Sequence, residues 1–207
     1  MCELRFTGFL VDLLLLRVVS LLYLIVMVIT YAGDGHMRLQ SGEIALAIDP
    51  VSTRAKVTMT LRTRCDADEP MVDDEIFCPG DYERSGVAVS GLATYSKGSV
   101  VHTSYLIIWD DIRLFFISPS SEFDMSRLSD IGHVDVVFVP ADFGGDVSVL
   151  AKFVRSLSPA AVVPVYKKLT KELAEARGAT VQKSDKFVFK KKDLISGKAE
   201  FIELSAS

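Results

Sequence analysis

From Met27 onward, apolar residues recur in short runs that turn residues interrupt, a pattern typical of β-strands. The second half adds two continuous apolar runs, which indicate strands covered on both faces, and two segments with helical spacing. The predicted helices span 146–157 and 169–177, and the predicted strands span 28–32, 36–40, 44–48, 57–61, 75–77, 86–92, 102–108, 112–117, 134–140, 160–165, 186–190 and 199–204. Many strands followed by alternating strands and helices predict one α+β domain.

The N-terminus is far more apolar than the rest of the chain. The run LLLLRVVSLLYLIVMVI (13–29) contains one charged residue, Arg17. As a helix it would extend about 25 Å, less than the ~30 Å of a bilayer core. Three interpretations remain open: an extension over 1–26 outside the domain, for which a misassigned start codon is one explanation, a membrane anchor through residues 9–29, or a buried helix. The strand over 28–32 favours a domain over 27–207.

Composition narrows the class of protein. The 207 residues are 49% apolar and 24% charged, which predicts a folded core. A net charge of −4 gives no indication of nucleic-acid binding. Three cysteines without Cys-x-x-Cys spacing argue against a disulfide scaffold. We therefore expect a cytoplasmic protein, with membrane anchoring through the N-terminal segment as the alternative.

Several segments together resemble the metallo-β-lactamase superfamily, in particular its sugar-lactonase-like, small-hydrolase branch. The first strands end in Ile48-Asp49-Pro50, like the Ile-Asp-Pro turn of that family. The other similar segments are FCPGDYERSGVAVSG (77–91), HTSYLI (102–107), VDVVFVPADFGG (134–145) and LSPAAVVPVY (157–166). The resemblance implies an α+β fold, a four-layer α/β/β/α sandwich.

The resemblance also implies a zinc centre, whose signature is Thr-His-x-His-x-Asp-His after the fourth strand. The corresponding segment VTMTLRTRCDADEP (57–70) contains no histidine. With Thr60 at the threonine position, Leu61 and Thr63, or their neighbours, stand where imidazoles are expected. The later ligand positions fall on FFISPSS (115–121) and Val165-Tyr166-Lys167, again without histidine. We therefore expect a degenerate site, no metal ligands and no cofactor.

A few polar residues remain as candidates for a residual cleft: Asp34, His36, Asp49, Asp66, Asp68 and Tyr166. The spacing of Asp66 and Asp68 allows a hard cation, but a solvated loop with Arg62 and Arg64 as counter-charges is the simpler interpretation. Asp49 is expected to have a structural role in its turn.

These observations lead to three hypotheses. The first is a degenerate metallo-β-lactamase-fold protein without zinc or conventional hydrolysis, which acts as a binding or assembly module. The second is a metal-dependent phosphodiester or lactone hydrolase with a rearranged site, built from Asp34, His36, Asp66 and Asp68. The third is a membrane-tethered scaffold. The expected partner is a small molecule, a protein or a second copy of the chain.

Overall fold

Two β-sheets stacked against each other form the body of the protein. The structure, a computed structural model, describes residues 26–50, 56–66, 68, 70, 74–118, 131–139, 146–165, 167–175 and 178–206. The first sheet has the order β14-β1-β2-β3-β4-β6. Its strands are β1 (Met27–Gly33), β2 (His36–Ser41), β3 (Ile44–Ile48), β4 (Met59–Leu61), β6 (Glu75–Ile76) and β14 (Lys186–Phe189).

The second sheet is larger and contains both parallel and antiparallel strands. Its order is β13-β15-β12-β11-β10-β9-β8-β7, and β5 pairs separately with β9. Its strands are β5 (Arg64–Asp66), β7 (Gly80–Arg84), β8 (Val87–Lys97), β9 (Val100–Trp109), β10 (Ile112–Phe116), β11 (Val136–Val139), β12 (Ala161–Pro164), β13 (Val181–Ser184) and β15 (Glu200–Leu204). The described helices are α1 (Val147–Ser156), α2 (Lys167–Glu175) and a 3₁₀ turn at Lys191–Asp193.

Period-two alternation builds the core between the sheets. In β1, Met27 and Ile29 are fully buried, whereas Val28 and Thr30, which alternate with them, are half-buried. Side chains of this kind from both sheets form one apolar cluster, in which the rings of Phe116 and Phe138 stack with centroids 5.5 Å apart. Because the inward positions of both sheets are apolar, burial of this surface drives the sheets together.

The helices cover the outer face of the second sheet. All four residues of β11 are buried, because alternate side chains face the inner cluster and the helical layer. Asp146 caps α1 by accepting a hydrogen bond from the Ser148 N–H at 2.7 Å. Phe153 of α1 contacts Phe115 of β10 edge to face at 6.2 Å. The resulting packing confirms an α+β sandwich.

Most predicted elements are confirmed, and the differences have a common cause. Strands β5, β7 and β13 were not predicted from the sequence, and α2 begins at Lys167 rather than 169. The three strands are mostly exposed, with few apolar side chains to reveal an alternation. Their positions are set by backbone pairing with neighbouring strands, which the local sequence does not encode.

Residues 27–29 belong to β1, so the apolar run 9–29 is not one uninterrupted segment available to a membrane. This corrects the C-terminal end of the predicted anchor, because a residue in this strand cannot also form the end of a spanning helix. The remainder of the run, through residue 25, lies outside the described residues. Within the described part of the chain, no helix has the length and apolarity needed to cross a bilayer.

Candidate functional site

The side chain of Asp49 fixes the loop that follows β4. One carboxylate oxygen accepts the Thr63 N–H at 2.7 Å, and the other accepts the Thr63 hydroxyl at 2.5 Å. The Asp49 N–H donates to the Leu61 carbonyl at 2.9 Å. Asp49 adopts a left-handed backbone with φ of 46°, which Asp and Asn tolerate better than other non-glycine residues. This turn therefore holds β3 and the loop in one arrangement.

Burial dominates the electrostatics of this turn. Burial raises the pKa of Asp49, and the two hydrogen bonds from Thr63 oppose that shift. His36, the first residue of β2, lies near enough for its charge to interact with the Asp49 carboxylate. Desolvation nevertheless lowers the pKa of His36. The neutral form of the imidazole is therefore favoured near physiological pH.

A buried tyrosine holds the same loop from the second sheet. The Tyr105 hydroxyl, on β9, lies 2.6 Å from the Arg62 carbonyl and 3.1 Å from the Ile76 carbonyl. Burial raises the pKa of Tyr105 well above its usual value, so the hydroxyl keeps its proton and acts as a donor. Sequence reasoning missed this residue, although it lies within the HTSYLI segment. Its role depends on contacts with residues 29 and 43 positions away.

Ser118, which follows β10, also forms a hydrogen bond to the loop after β4. Its hydroxyl donates to the Thr63 carbonyl at 3.0 Å, and its N–H donates to the Ser104 hydroxyl at 2.9 Å. The His102 Nδ1 atom lies 3.4 Å from the Ser118 oxygen. Ser118 is fully buried and its proton is used by a backbone carbonyl. These hydrogen bonds tie the end of β10 to the loop after β4 and to β9.

The loop presents charged side chains on its exposed side. In β5, Arg64 and Asp66 are exposed, and Cys65 between them is buried. Because side chains alternate along a strand, Arg64 and Asp66 share one face. Arg62 pairs with Glu75 through an Nε–Oε2 distance of 2.9 Å. The Asp66 carboxylate accepts the Asp68 N–H at 3.3 Å.

The structure brings together some of the predicted site residues. His36 and Asp49 lie close enough to interact, whereas Asp34 is exposed in the turn between β1 and β2. Asp66 and Asp68 share a hydrogen bond on the exposed loop, and Tyr166 lies outside the described residues. No group of three or more His, Cys, Asp or Glu side chains suited to a metal occurs among the residues described.

The two positions predicted to replace imidazoles do not face an accessible cleft. Leu61 is fully buried in the inner cluster, and Thr63 is 1% exposed with its hydroxyl bonded to Asp49. Thr60 is 5% exposed, within β4. The first two histidines of the motif are separated by one residue. Arg64 and Asp66 have this spacing, and both are exposed.

Comparison with solved structures identifies the fold. A Thermotoga maritima structure assigned as a Zn-dependent hydrolase of the metallo-β-lactamase superfamily matches with a TM-score of 0.69 and 16% identity, over 86% of this chain and 100% of that chain. A Parabacteroides distasonis structure assigned as a metal-dependent hydrolase gives 0.59 and 19%, over 86% and 94%. YhfI from Bacillus subtilis, a metallo-β-lactamase-fold protein, gives 0.59 and 11%, over 80% and 99%.

The chain therefore has the metallo-β-lactamase fold, as the sequence resemblance implied. No protein-family model matches the sequence, and no curated protein matches it. Neighbours with this fold include metal-dependent hydrolases.

Proposed function

We propose that this chain is a degenerate metallo-β-lactamase-fold protein that works without zinc or conventional hydrolysis, as a binding or assembly module. The main support for this proposal is the two hydrogen bonds that Thr63 donates to the Asp49 carboxylate. In the resembled family, this aspartate helps position the loop that carries the metal motif. We call the corresponding residues here, 57–70, the motif loop. Thr63, the partner of Asp49, is therefore the best counterpart of the motif threonine, three residues after Thr60.

In this register, TRCDADE (63–69) aligns residue for residue with Thr-His-x-His-x-Asp-His. Arg64 and Asp66 then stand at the first two histidine positions, Asp68 retains the aspartate, and Glu69 stands at the last histidine position. A guanidinium group is permanently charged and has no lone pair to donate, so it disfavours a cation beside it. A catalytic zinc site needs about three protein ligands with an open fourth position. In this segment a guanidinium and two carboxylates replace the three imidazoles, so the residues do not fit the histidine-based zinc centre of the resembled family.

The hydrogen bonds around the loop support the same proposal. Asp49, Tyr105 and Ser118 hold the backbone of residues 62 and 63 from both sheets. We expect a loop held in this way to keep its conformation without a metal ion. The fold can therefore keep a shaped surface at this edge after the loss of the ligands, which suits a binding or assembly role.

We expect the purified full-length protein to contain far less than one zinc or manganese per chain by elemental analysis. Chelator should leave its melting temperature unchanged, because no ligand stabilises the native state selectively. A panel of phosphodiester and lactone substrates should give no turnover above a blank. Stoichiometric metal that chelator removes, with a fall of several degrees in melting temperature, would overturn the proposal.

The alternative is a metal-dependent hydrolase with a rearranged site around Asp34, His36, Asp66 and Asp68. The retained aspartate at Asp68 and the metal-dependent hydrolases among the structural neighbours favour it. An Asp66→Asn/Asp68→Asn variant separates the two ideas, because only a rearranged site would lose metal and activity in this variant. A membrane-tethered scaffold, the third hypothesis, is compatible with either outcome, because tethering makes no demand on the motif loop.

Restoring histidines tests the register itself. Arg64→His/Asp66→His would put two imidazoles on the exposed face of β5, so we expect zinc affinity to rise at least about tenfold. Calorimetric zinc titration measures this change. No hydrolysis is expected, because the segments 115–121 and 164–167 still contain no histidine. The matched control is Leu61→His/Thr63→His, which alters two buried positions and should destabilise the fold without gaining affinity. Tighter zinc binding by the control would show that the register is wrong.

A further inference from the structure

A positively charged face surrounds β14 and the 3₁₀ turn, and we call it the lysine face. β14 is one edge strand of the first sheet, and the motif loop follows β4, near the other edge. The segment 183–200 has six lysines and three carboxylates, a net charge of +3, in a chain whose net charge is −4. The Lys191 ammonium contacts Asp135, but it remains about half exposed. The lysines are Lys183, Lys186, Lys190, Lys191, Lys192 and Lys198.

Two apolar side chains project within the lysine face. Val188 is 48% exposed and Ile195 is 61% exposed, the highest values among the large apolar residues of the described chain. Both border a cavity of about 560 Å³, whose charged lining residues are Lys183, Lys186 and Lys198 with Asp185, Asp193 and Glu200. Apolar side chains surrounded by charged groups form a surface that water solvates poorly at its centre and well at its rim. The excess of lysine in this face therefore comes from Lys190, Lys191 and Lys192, at the 3₁₀ turn.

Alternation along β14 explains this arrangement. Phe187 and Phe189 turn inward and their rings lie 4.5 Å apart, whereas Lys186 and Val188 turn outward. Phe189 is buried and Phe187 is half-buried, so neither ring is fully exposed for stacking with bases. This feature and the acidic net charge of the chain argue against a nucleic acid as the partner.

The apolar N-terminal run joins the domain beside the lysine face. β1 and β14 are antiparallel, with Met27 opposite Phe189 and Val28 opposite Val188. The chain that precedes Met27 therefore enters at the end of β14 that leads to Lys190. The apolar sequence 13–26 has 14 residues, about 21 Å as a helix, which is too short to span a bilayer but long enough to lie at its surface.

From these three observations we infer that the lysine face contacts an anionic membrane surface. The lysines attract acidic lipid headgroups, and Val188 and Ile195 insert into the boundary of the acyl chains. Stable membrane binding generally needs two signals. The lysines supply an electrostatic signal, and the exposed Val188 and Ile195 supply an apolar one.

Vesicle co-sedimentation with the full-length chain tests the lysines. We expect binding to vesicles of phosphatidylcholine with phosphatidylserine, weaker binding to phosphatidylcholine alone, and loss of the difference at high salt. Lys183→Gln/Lys186→Gln/Lys192→Gln should weaken binding on the order of 100-fold, because each lysine near an anionic surface contributes about a fivefold factor. The control with equal charge change, Lys56→Gln/Lys152→Gln/Lys171→Gln, should bind like the parent.

A second pair of variants tests the apolar residues and guards against misfolding. Val188→Ser/Ile195→Ser should weaken vesicle binding at least tenfold, whereas Ile108→Ser/Val149→Ser, at exposed sites elsewhere, should not. Circular dichroism melting of every variant checks that it is folded. Unchanged binding by the lysine variant, or equal binding to neutral and anionic vesicles, would overturn the inference. A concentration-dependent dimer that Ile195→Ser abolishes, with no vesicle binding by the parent, would assign the face to a second copy of the chain instead.

Discussion

Asp49→Ala is expected to lower the free energy of unfolding by about 3 kcal/mol, measured by urea denaturation near neutral pH. The variant loses two hydrogen bonds from Thr63 to a charged acceptor. It also puts alanine at a φ of 46°, which costs about 1–2 kcal/mol for a residue with a Cβ. Part of this loss is recovered, because the alanine variant no longer buries a charged carboxylate.

Asp49→Asn is the matched control for this experiment. Asparagine tolerates the left-handed backbone and keeps an oxygen for the Thr63 N–H, so its cost should be below about 1 kcal/mol. Equal stability of the alanine variant and the parent would contradict a structural role for Asp49.

The parent and Asp49→Asn should also differ in how their free energies of unfolding depend on pH. Burial raises the pKa of Asp49 above its ordinary 3.8, so the folded state holds this proton more tightly than the unfolded state. The stability contributed by Asp49 is therefore full below pH 3.8 and falls as pH rises through the raised value. Asp49→Asn lacks this dependence, so its stability relative to the parent should increase with pH in that window. A relative stability that decreases with pH would contradict the raised pKa.

Asp135→Ala should also cost about 3 kcal/mol. This carboxylate is 4% exposed and accepts the Arg113 N–H at 2.8 Å and the Lys191 ammonium at 2.6 Å. Removing one partner of a buried ion pair typically costs about 3–5 kcal/mol, and the half-exposed Lys191 brings the expectation to the lower end. Urea denaturation again measures the change.

Two further variants isolate the ion pair. Asp135→Asn keeps an acceptor for the Arg113 N–H, so it should cost less than Asp135→Ala. A double-mutant cycle with Lys191→Met should give a coupling energy of about 1–3 kcal/mol between Asp135 and Lys191. The exposed Asp185→Ala is the control and should change stability by less than about 0.5 kcal/mol. A cost below 1 kcal/mol for Asp135→Ala would refute this role.

The residues of the motif loop show why the candidate site was only partly predictable. The sequence indicated Asp49 as a turn residue and the loss of histidines over 57–70, because both are properties of neighbouring positions. The choice between Thr60 and Thr63 depends on which side chain meets Asp49 across a loop of more than ten residues. Tyr105 and Ser118 reach the loop from separations of 43 and 55 residues, which leave no local signal.

The same division applies to the fold. The sequence by itself determined the alternation of β1, the doubly covered strands β11 and β12 and the helix α1, since each depends on periodicity over a few residues. Tertiary structure alone decided three features: the exposed strands β5, β7 and β13, the hydrogen bonds that hold residues 62 and 63, and the burial of Asp135 beside Lys191. Those features depend on backbone pairing and polar contacts between distant segments, whose energies exist only once the apolar core has brought the segments together.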